Sequence, residues 1–367
     1  MKQILVLGGT GAMGHPLVDI LSKSNHVYVS SRSPHPSLDS VTYLKGDAHN
    51  YAFLEAILKE RYYDAIVDFM VWGKDFKEAL PLLLNNTKQY VFISSARVYA
   101  QSDEPITENT SRLLDVSEDK QYLKTNEYAL TKAREENLLI NSKTHNYTIV
   151  RPSVTYNTHR LQLGVLEKES WLYRALHGRS IVFSEDIANK LTTITIGDDV
   201  AKGIASIVGK EAAIGQIFHI TSPKSLPWSN VLEIYLQVLE KYMGKRPNVV
   251  MSQKTTNLLF KEKIYQVIYC RYFNRTFDNS KINEFCDTNQ FVSPDEGLTK
   301  CLTAFLHNPK FLTIDWRLEA YNDRVANERT PMREIKATKD KIIYLIYRNK
   351  LSLLIRLYEK YLIFKNK

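Results

Sequence analysis

Cysteine is scarce in this sequence: three residues, Cys270, Cys286 and Cys301, among 367. The number is odd and none lies in a CxxC pair, so no disulfide framework is expected and three buried free thiols are. No run of about 20 apolar residues occurs, which leaves no candidate for a membrane-spanning helix. Met1-Lys2-Gln3 leads straight into an apolar run too short for a secretory signal, so a cytoplasmic chain is expected. The His, Asp and Glu residues show no HxH or HExxH spacing and no carboxylate cluster, so no metal is expected. No Cys or Ser sits in a nucleophile motif such as G-x-S-x-G. Internal repeats and low-complexity blocks are also missing. Acid is scarce in one place: residues 335–367 hold nine Lys/Arg and two acids, a net +7 out of +9 for the chain. The preceding body is thus nearly neutral, which argues against a nucleic-acid-binding role for it.

What is present is ordinary globular composition, 44% hydrophobic and 24% charged. The length allows two domains, or one large α/β unit with an appended lobe. Gln3–Leu7 is a continuous apolar strand of the kind buried on both faces. Helical spacing follows through Leu17, Val18, Ile20 and Leu21. Strand patterns recur at 26–30, 41–44, 65–70, 90–94 and 147–151, with helical ones at 52–59, 79–85 and 127–141. Strands alternating with helices predict a doubly wound parallel sheet. Past Arg151 the alternation weakens. Segments 192–196 and 217–221 read as strands, 199–208 and 228–242 as helices, and 250–330 as helical and rich in aromatics.

Gly8-Gly9-Thr10-Gly11-Ala12-Met13-Gly14 lies between the first strand and the first helix. Gly8, Gly11 and Gly14 form G-x-x-G-x-x-G, which permits a tight turn, close approach of backbone to a diphosphate, and close helix–strand packing. The helix N-terminus adds free N–H groups and a positive dipole. In this strand–loop–helix context the loop reads as a dinucleotide site built from Gly8, Thr10, Gly11, Ala12, Met13 and Gly14. The end of the second strand selects the cofactor: an acid bonds the ribose 2′-OH of NAD, whereas an Arg accommodates the 2′-phosphate of NADP. Ser30-Ser31-Arg32 contains no acid, so Arg32 tilts the expectation to NADP, with NAD as the alternative. Asp47, after Gly46, reads equally as an adenine-side contact or as a turn residue before a helix that Asn50 caps.

Tyr128 and Lys132 are four residues apart on the 127–141 helix and so share a face. A phenol ionises near pH 10, too high for a base at neutral pH, and a neighbouring cation stabilises its anion. Tyr128 would then exchange a proton with a substrate hydroxyl while a hydride moves. Lys132 also reads as a holder of the nicotinamide ribose. The spacing alone is cheap, since Tyr361 and Lys365 repeat it in the tail. The company of Tyr128 matters more. The 90–94 strand delivers Ser94 and Ser95 to the ligand edge of an open sheet, where a hydroxyl can bond a substrate carbonyl.

With these elements the sequence resembles the extended short-chain dehydrogenase/reductase family, over about residues 1–230. The resemblance rests on GGTGAMG at 8–14, Gly46-Asp47, Ser94-Ser95-Ala96-Arg97-Val98-Tyr99, Tyr128-x-x-x-Lys132, Arg151-Pro152-Ser153 followed by Tyr156, and Ile196-Gly197-Asp198-Asp199-Val200-Ala201. Phe277-Asp278-Asn279-Ser280-Lys281 is similar to a late segment of the family. The resemblance implies a catalytic triad of Ser95, Tyr128 and Lys132, and NAD(P)-dependent hydride transfer on a nucleotide-activated sugar. Two departures stand out. The 4,6-dehydratases carry an acidic pair after the catalytic hydroxyl, where this chain has Ala96 and Arg97, so elimination is not expected. Val154-Thr155-Tyr156-Asn157-Thr158 lacks the family's Asn and Gly-Pro, which puts the usual diphosphate-sugar contacts in doubt. Arg160, Arg174 and Arg179 stand as phosphate candidates against the alternative of surface charges.

The expected fold class is therefore α/β: a Rossmann-type doubly wound sheet with a smaller, mainly C-terminal substrate lobe and a C-terminal amphipathic helix. The dinucleotide domain is expected over 1–151 with core segments at about 192–221, the lobe discontinuously within 152–330, and the basic tail over 335–367. Net reduction is favoured slightly, against redox-neutral epimerisation with tightly bound NAD. An opposing class is a non-catalytic or RNA-associated protein of the same fold. Read as one helix from Lys339, the tail has a wide apolar arc that includes Phe364, and an opposite polar strip interrupted by Leu345 and Ile363. It must bury against the protein, against a second subunit in a homodimer, or against a membrane surface.

Overall fold

Both faces of the first strand are apolar, and both are covered. The computed structural model describes residues 1–258 and 263–365, with side chains as far as Leu362, so Ile363, Phe364 and Lys365 contribute no described side chain. Ile4 and Val6 pack on one face with Leu17, Val18, Val200 and Ile204. Leu5 and Leu7 pack on the other with Leu54, Phe76, Leu80, Leu83 and Leu139. Such two-sided burial is what a continuous apolar strand requires.

The sheet contains β1 (Gln3–Leu7), β2 (His26–Ser31), β3 (Val41–Lys45), β4 (Ala65–Asp68), β5 (Tyr90–Ile93), β6 (Tyr147–Pro152) and β7 (Ile217–Ile220). All pairings are parallel, in the order β7-β6-β5-β4-β1-β2-β3. Flanking helices that matter below are α1 (Gly14–Leu21), α2 (Tyr51–Lys59), α3 (Phe76–Asn85), α4 (Tyr128–Ile140) and α5 (Gly197–Ile207). Strand order reverses between β1 and β4, which opens a crevice at the carboxyl ends of those two strands.

The chain forms two compact units. One holds Met1–Arg160, Leu191–Leu226 and Phe273–Lys300, and the other Leu161–Lys190, Pro227–Tyr272 and Cys301–Lys367. Residues 152–160 and 273–300 therefore cluster with the sheet and not with the rest of the 152–330 stretch. Their bonds show why. Val154–Tyr156 pairs with Ile194–Ile196, Ile106 bridges Phe277, and Asp199 accepts a hydrogen bond from Val292 N at 2.6 Å.

Several elements differ from the periodicity. The fourth strand stops at Asp68, whose carboxylate captures Met70 N at 2.8 Å and turns the chain. The stretch expected to be helical after residue 250 begins inside a strand, Val249–Ser252, paired with Ile181–Ser184. Cys270 and Cys301 are buried, but Cys286 is half-buried. The tail is two helices, Thr338–Arg348 and Ser352–Lys365, because Lys350 takes a left-handed conformation at φ +53°.

Arg174 and Arg179 are neither phosphate ligands nor surface charges. Arg174 is fully buried and bonds Glu319 at 2.7 Å, Asp323 at 2.8 Å and Glu328 at 2.7 Å. Arg179 bonds Glu319 at 3.1 Å and Glu334 at 2.9 Å. Burial pushes the Glu319 carboxyl up to about 7, with the two guanidiniums pulling the other way. Arg160 remains exposed in the sheet unit. Because Arg174 is the cation for two buried acids, Arg174→Ala should cost about 3–5 kcal/mol in urea denaturation of the whole chain. A loss below about 1 kcal/mol would show the network to be dispensable.

Candidate active site

The glycine loop is shaped by three close approaches. Gly8 sits at φ +71°, and its N–H donates to Ser30 Oγ at 3.1 Å. A Cβ on Gly14 would lie 2.7 Å from the backbone of Gly9, so α1 starts in contact with the loop. A Cβ on Gly197, at the start of α5, would lie 2.3 Å from the carbonyl oxygen of Ala12. α1 has no side-chain cap and no acid in its first turn. Within that turn His15 N donates to the Gly11 carbonyl at 3.1 Å and Pro16 has no N–H, so an anion here would be met chiefly by the helix dipole and the loop amides. Thr10, Gly11 and Ala12 line an open groove together with Asn157, His159, Arg160 and Asp198, while Met13 leans on the core and takes a contact from Thr155 Oγ1 at 3.7 Å. A turn this tight, at a helix start with no side-chain cap and no acid, fits the diphosphate of a dinucleotide.

At the end of β2 the two serines are buried and each accepts a backbone hydrogen bond. Ser30 accepts from Gly8, and Ser31 Oγ accepts from Ser33 N at 3.2 Å. Arg32 alone is exposed and unpaired among the described residues. Asp47 is exposed and accepts from His49 N at 3.0 Å, while Asn50 caps α2 through Phe53 N at 3.2 Å. The turn role of Asp47 is therefore filled, and one of its oxygens remains outward.

Ser94 and Ser95 part company at the end of β5. Ser94 Oγ donates to Glu136 at 2.6 Å and is buried. Ser95 caps the short turn Ala96–Val98, accepting from Arg97 N at 3.2 Å, which leaves its hydroxyl proton uncommitted. Tyr128, the first residue of α4, is half-buried, and its hydroxyl meets no partner among the described residues. The two are tied by a clasp. Arg97, two residues after Ser95, forms an ion pair with Glu127, one residue before Tyr128. Glu127 also caps α4, accepting from Ala129 N at 2.8 Å. The Arg97 guanidinium lies 5.3 Å from the centre of the Tyr128 ring.

Lys132 is not waiting in solvent for a ribose. It is 1% exposed, its Nζ donates to the Met70 carbonyl at 3.0 Å, and Glu135 Oε2 lies 3.1 Å away. The ammonium also lies 4.4 Å from the centre of the Phe92 ring. Glu135 in turn accepts from Gly73 N at 2.7 Å. Burial raises the Glu135 carboxyl above its usual range, although Lys132 opposes the shift. Asp68, wholly buried nearby, is also raised by burial, against hydrogen bonds from Tyr90, Met70 and Trp72. Two of the three ammonium donors are thus engaged, by Met70 and Glu135, which leaves one for a ribose.

Residue patterning missed Glu127, Glu135, Gly197 as a packing residue, and Arg97 as a partner. Glu127 had a local signal, an acceptor at a helix start. Glu135 had one too, an acid three residues after a Lys on a helix, but such pairs are usually solvated. Among the described residues no three His, Cys, Asp or Glu side chains converge as a metal site.

Comparison with known proteins places the family and the fold. Residues 4–220 match the NAD dependent epimerase/dehydratase family. The chain belongs to that family, which is of the extended short-chain dehydrogenase/reductase type. A curated relative, the chloroplast stem-loop binding protein of 41 kDa b of Arabidopsis thaliana, is 27% identical over 241 residues, 61% of this chain and 59% of the relative. The match thus spans well under two thirds of that relative. UDP-glucuronic acid 4-epimerase from Bacillus cereus, solved with UDP-glucuronic acid and NAD, superimposes with TM-score 0.61 at 18% identity, covering 84% of this chain and 100% of that one. The dTDP-glucose 4,6-dehydratase of Bacillus anthracis, solved with NAD, gives 0.61 at 16%, covering 84% and 97%. These structures share the fold.

The contact between Gly197 and Ala12 makes a test of the loop. Gly197→Ala should push Ala12 outward and weaken dinucleotide binding more than tenfold, while overpacking costs about 1–3 kcal/mol of stability. Fluorescence titration with reduced dinucleotide and thermal melting separate the two effects. Unchanged affinity would show that α5 does not set the loop.

Proposed function

We propose that the chain transfers a hydride between NADP(H) and a carbinol or ketone carbon of a nucleotide-activated sugar, with net reduction favoured over epimerisation. The observation that carries the chemistry is the pair of uncommitted hydroxyls, Ser95 and Tyr128, clasped by Arg97 and Glu127. When bound, the dinucleotide supplies or accepts the hydride. The loop from Gly8 to Gly14 would hold its diphosphate and Arg32 its 2′-phosphate. In the reductive direction Tyr128 gives its phenolic proton to the substrate carbonyl oxygen, which becomes the product hydroxyl. Ser95 donates a hydrogen bond to the same oxygen as negative charge develops on it. Lys132 puts a buried cation on the same helix, partly balanced by Glu135. Elimination has no agent here: Ala96 carries no proton, and Arg97 is committed to Glu127.

The nucleotide-sugar class is supported by family membership and by the UDP-sugar bound to the structurally similar epimerase. Redox-neutral epimerisation uses the same hydroxyls and keeps its cofactor through the cycle. Purified protein carrying tightly held NAD would favour epimerisation, and an empty protein that takes NADPH would favour reduction. A second reading, binding of a nucleic-acid stem-loop, is brought by the name of the plastid relative. It has weaker support, because outside residues 335–367 the chain carries a net charge of only +2.

Tyr128→Phe removes the proton carrier, so turnover should fall about 10²–10⁴-fold with dinucleotide affinity nearly intact. Wild-type turnover in that variant would overturn the mechanism. Arg32→Ala removes a charged hydrogen bond to phosphate of about 1.5–3 kcal/mol, and should weaken NADPH roughly 10–100-fold while sparing NADH. Equal affinities for the two cofactors in the unmodified protein would refute the preference.

A further inference from the structure

The two tail helices end differently. Thr338–Arg348 docks: Ile343, Tyr344 and Tyr347 are buried in a cluster with Ala320 and Ile335, and Tyr344 donates to Asp323 at 2.6 Å. After the break at Lys350, Ser352–Lys365 turns Ile355 and Tyr358 toward that cluster. A second apolar stripe is left outside. Leu353, Leu354, Leu357 and Tyr361, spaced i, i+1, i+4 and i+8, are 70%, 43%, 56% and 51% exposed. The spacing puts all four on one side of the helix. Arg356 and Lys360 follow Leu353 and Leu357 by three residues and so border the stripe. Both are exposed and form no ion pair among the described residues.

Charge selects the occupant. From Lys341 to the last residue the sole acid is Glu359, and residues 335–367 carry +7. A second copy seated on this stripe would bring two such segments together, against their mutual repulsion. A nucleic acid would satisfy the cations and leave four large apolar side chains in water. An anionic bilayer surface satisfies both, because apolar insertion and attraction to headgroups reinforce each other. The helix is not a membrane span, since no helix among the described residues is long and apolar enough to cross one.

We propose that Ser352–Lys365 is an interfacial helix that lies in the surface of an anionic membrane. Leu353, Leu354, Leu357 and Tyr361 enter the acyl boundary, and Arg356 and Lys360 stay at the headgroups. The proposal does not depend on the reaction assigned above. The full chain is floated with vesicles of phosphatidylcholine, alone or mixed with phosphatidylglycerol, and its self-association is followed by sedimentation. Expected is flotation with the mixed vesicles at low salt and none with the neutral ones. Leu353→Ser with Leu357→Ser should abolish it, and Arg356→Ala with Lys360→Ala should weaken partitioning by about 30-fold. Melting checks that the variants, all at exposed positions, keep the fold. The proposal is overturned if the unmodified chain ignores anionic vesicles, or if the leucine variant floats equally well. It is also overturned if the leucine substitutions dissociate a dimer with no effect on lipid, or if the chain binds an RNA hairpin but no vesicle.

Discussion

One buried carboxylate holds the reactive edge of the sheet together. Glu136 accepts from Ser94 at the end of β5, from Arg151 near the end of β6 through two bonds of 2.8 and 2.7 Å, and from Arg112 at 3.1 Å. All of this happens on α4. Tyr128, Lys132 and Glu136 are spaced by four, so they form one stripe along that helix. The anchor at one end therefore fixes the rotation at which Tyr128 is presented at the other. The bidentate guanidinium is the geometry that resists such rotation best. Removing it would strand a charge in a site with no exposure to water.

The same stripe explains the crowded surroundings of Lys132. Its ammonium is the nearest counter-charge to Glu135 and acts on Asp68, both raised by burial. Met70, whose carbonyl accepts the Lys132 hydrogen bond, also places its sulfur 3.2 Å from where a Cβ on Gly8 would stand. Glu135 holds Gly73 at the far end of the same short segment. A movement of Lys132 toward a bound ribose would therefore be felt by the segment on which the glycine loop leans. Dinucleotide loop and candidate reactive helix are thus linked through the few residues after β4.

The sheet was readable because strands buried on both faces are continuous apolar runs, and a glycine string between strand and helix has few other uses. Ser95, Tyr128 and Lys132 stood out in the sequence because their company is specific, and they remain proposals. The clasp was not, since Arg97 and Glu127 are thirty residues apart and each alone looks like a solvated charge. Arg174 failed for the same reason: the acids that bury it come from a helix far along the chain, and nothing local marks an arginine as interior. The tail was misread as one helix because Asn349-Lys350 contains neither Gly nor Pro, so the apolar periodicity runs through a break that the backbone nevertheless makes. Gly197 could not be recognised as a packing residue until α5 was placed against Ala12.

The clasp also shows what the chain gives up at this edge. Where related dehydratases are expected to place an acidic pair, Ala96 and Arg97 offer no proton donor. The position is used instead for alignment. Arg97 reaches Glu127, Glu127 caps α4, and Tyr122 adds a bond to the same carboxylate at 3.3 Å. The turn that carries Ser95 and the helix start that carries Tyr128 are consequently one rigid piece. A reaction that needs only two hydroxyls on one oxygen is served by that rigidity. A reaction that must also move a proton at a neighbouring carbon would need a mobile acid or base where this chain has a locked cation. On the proposed function, the pair that aligns the two hydroxyls is also what leaves this edge without a mobile acid or base.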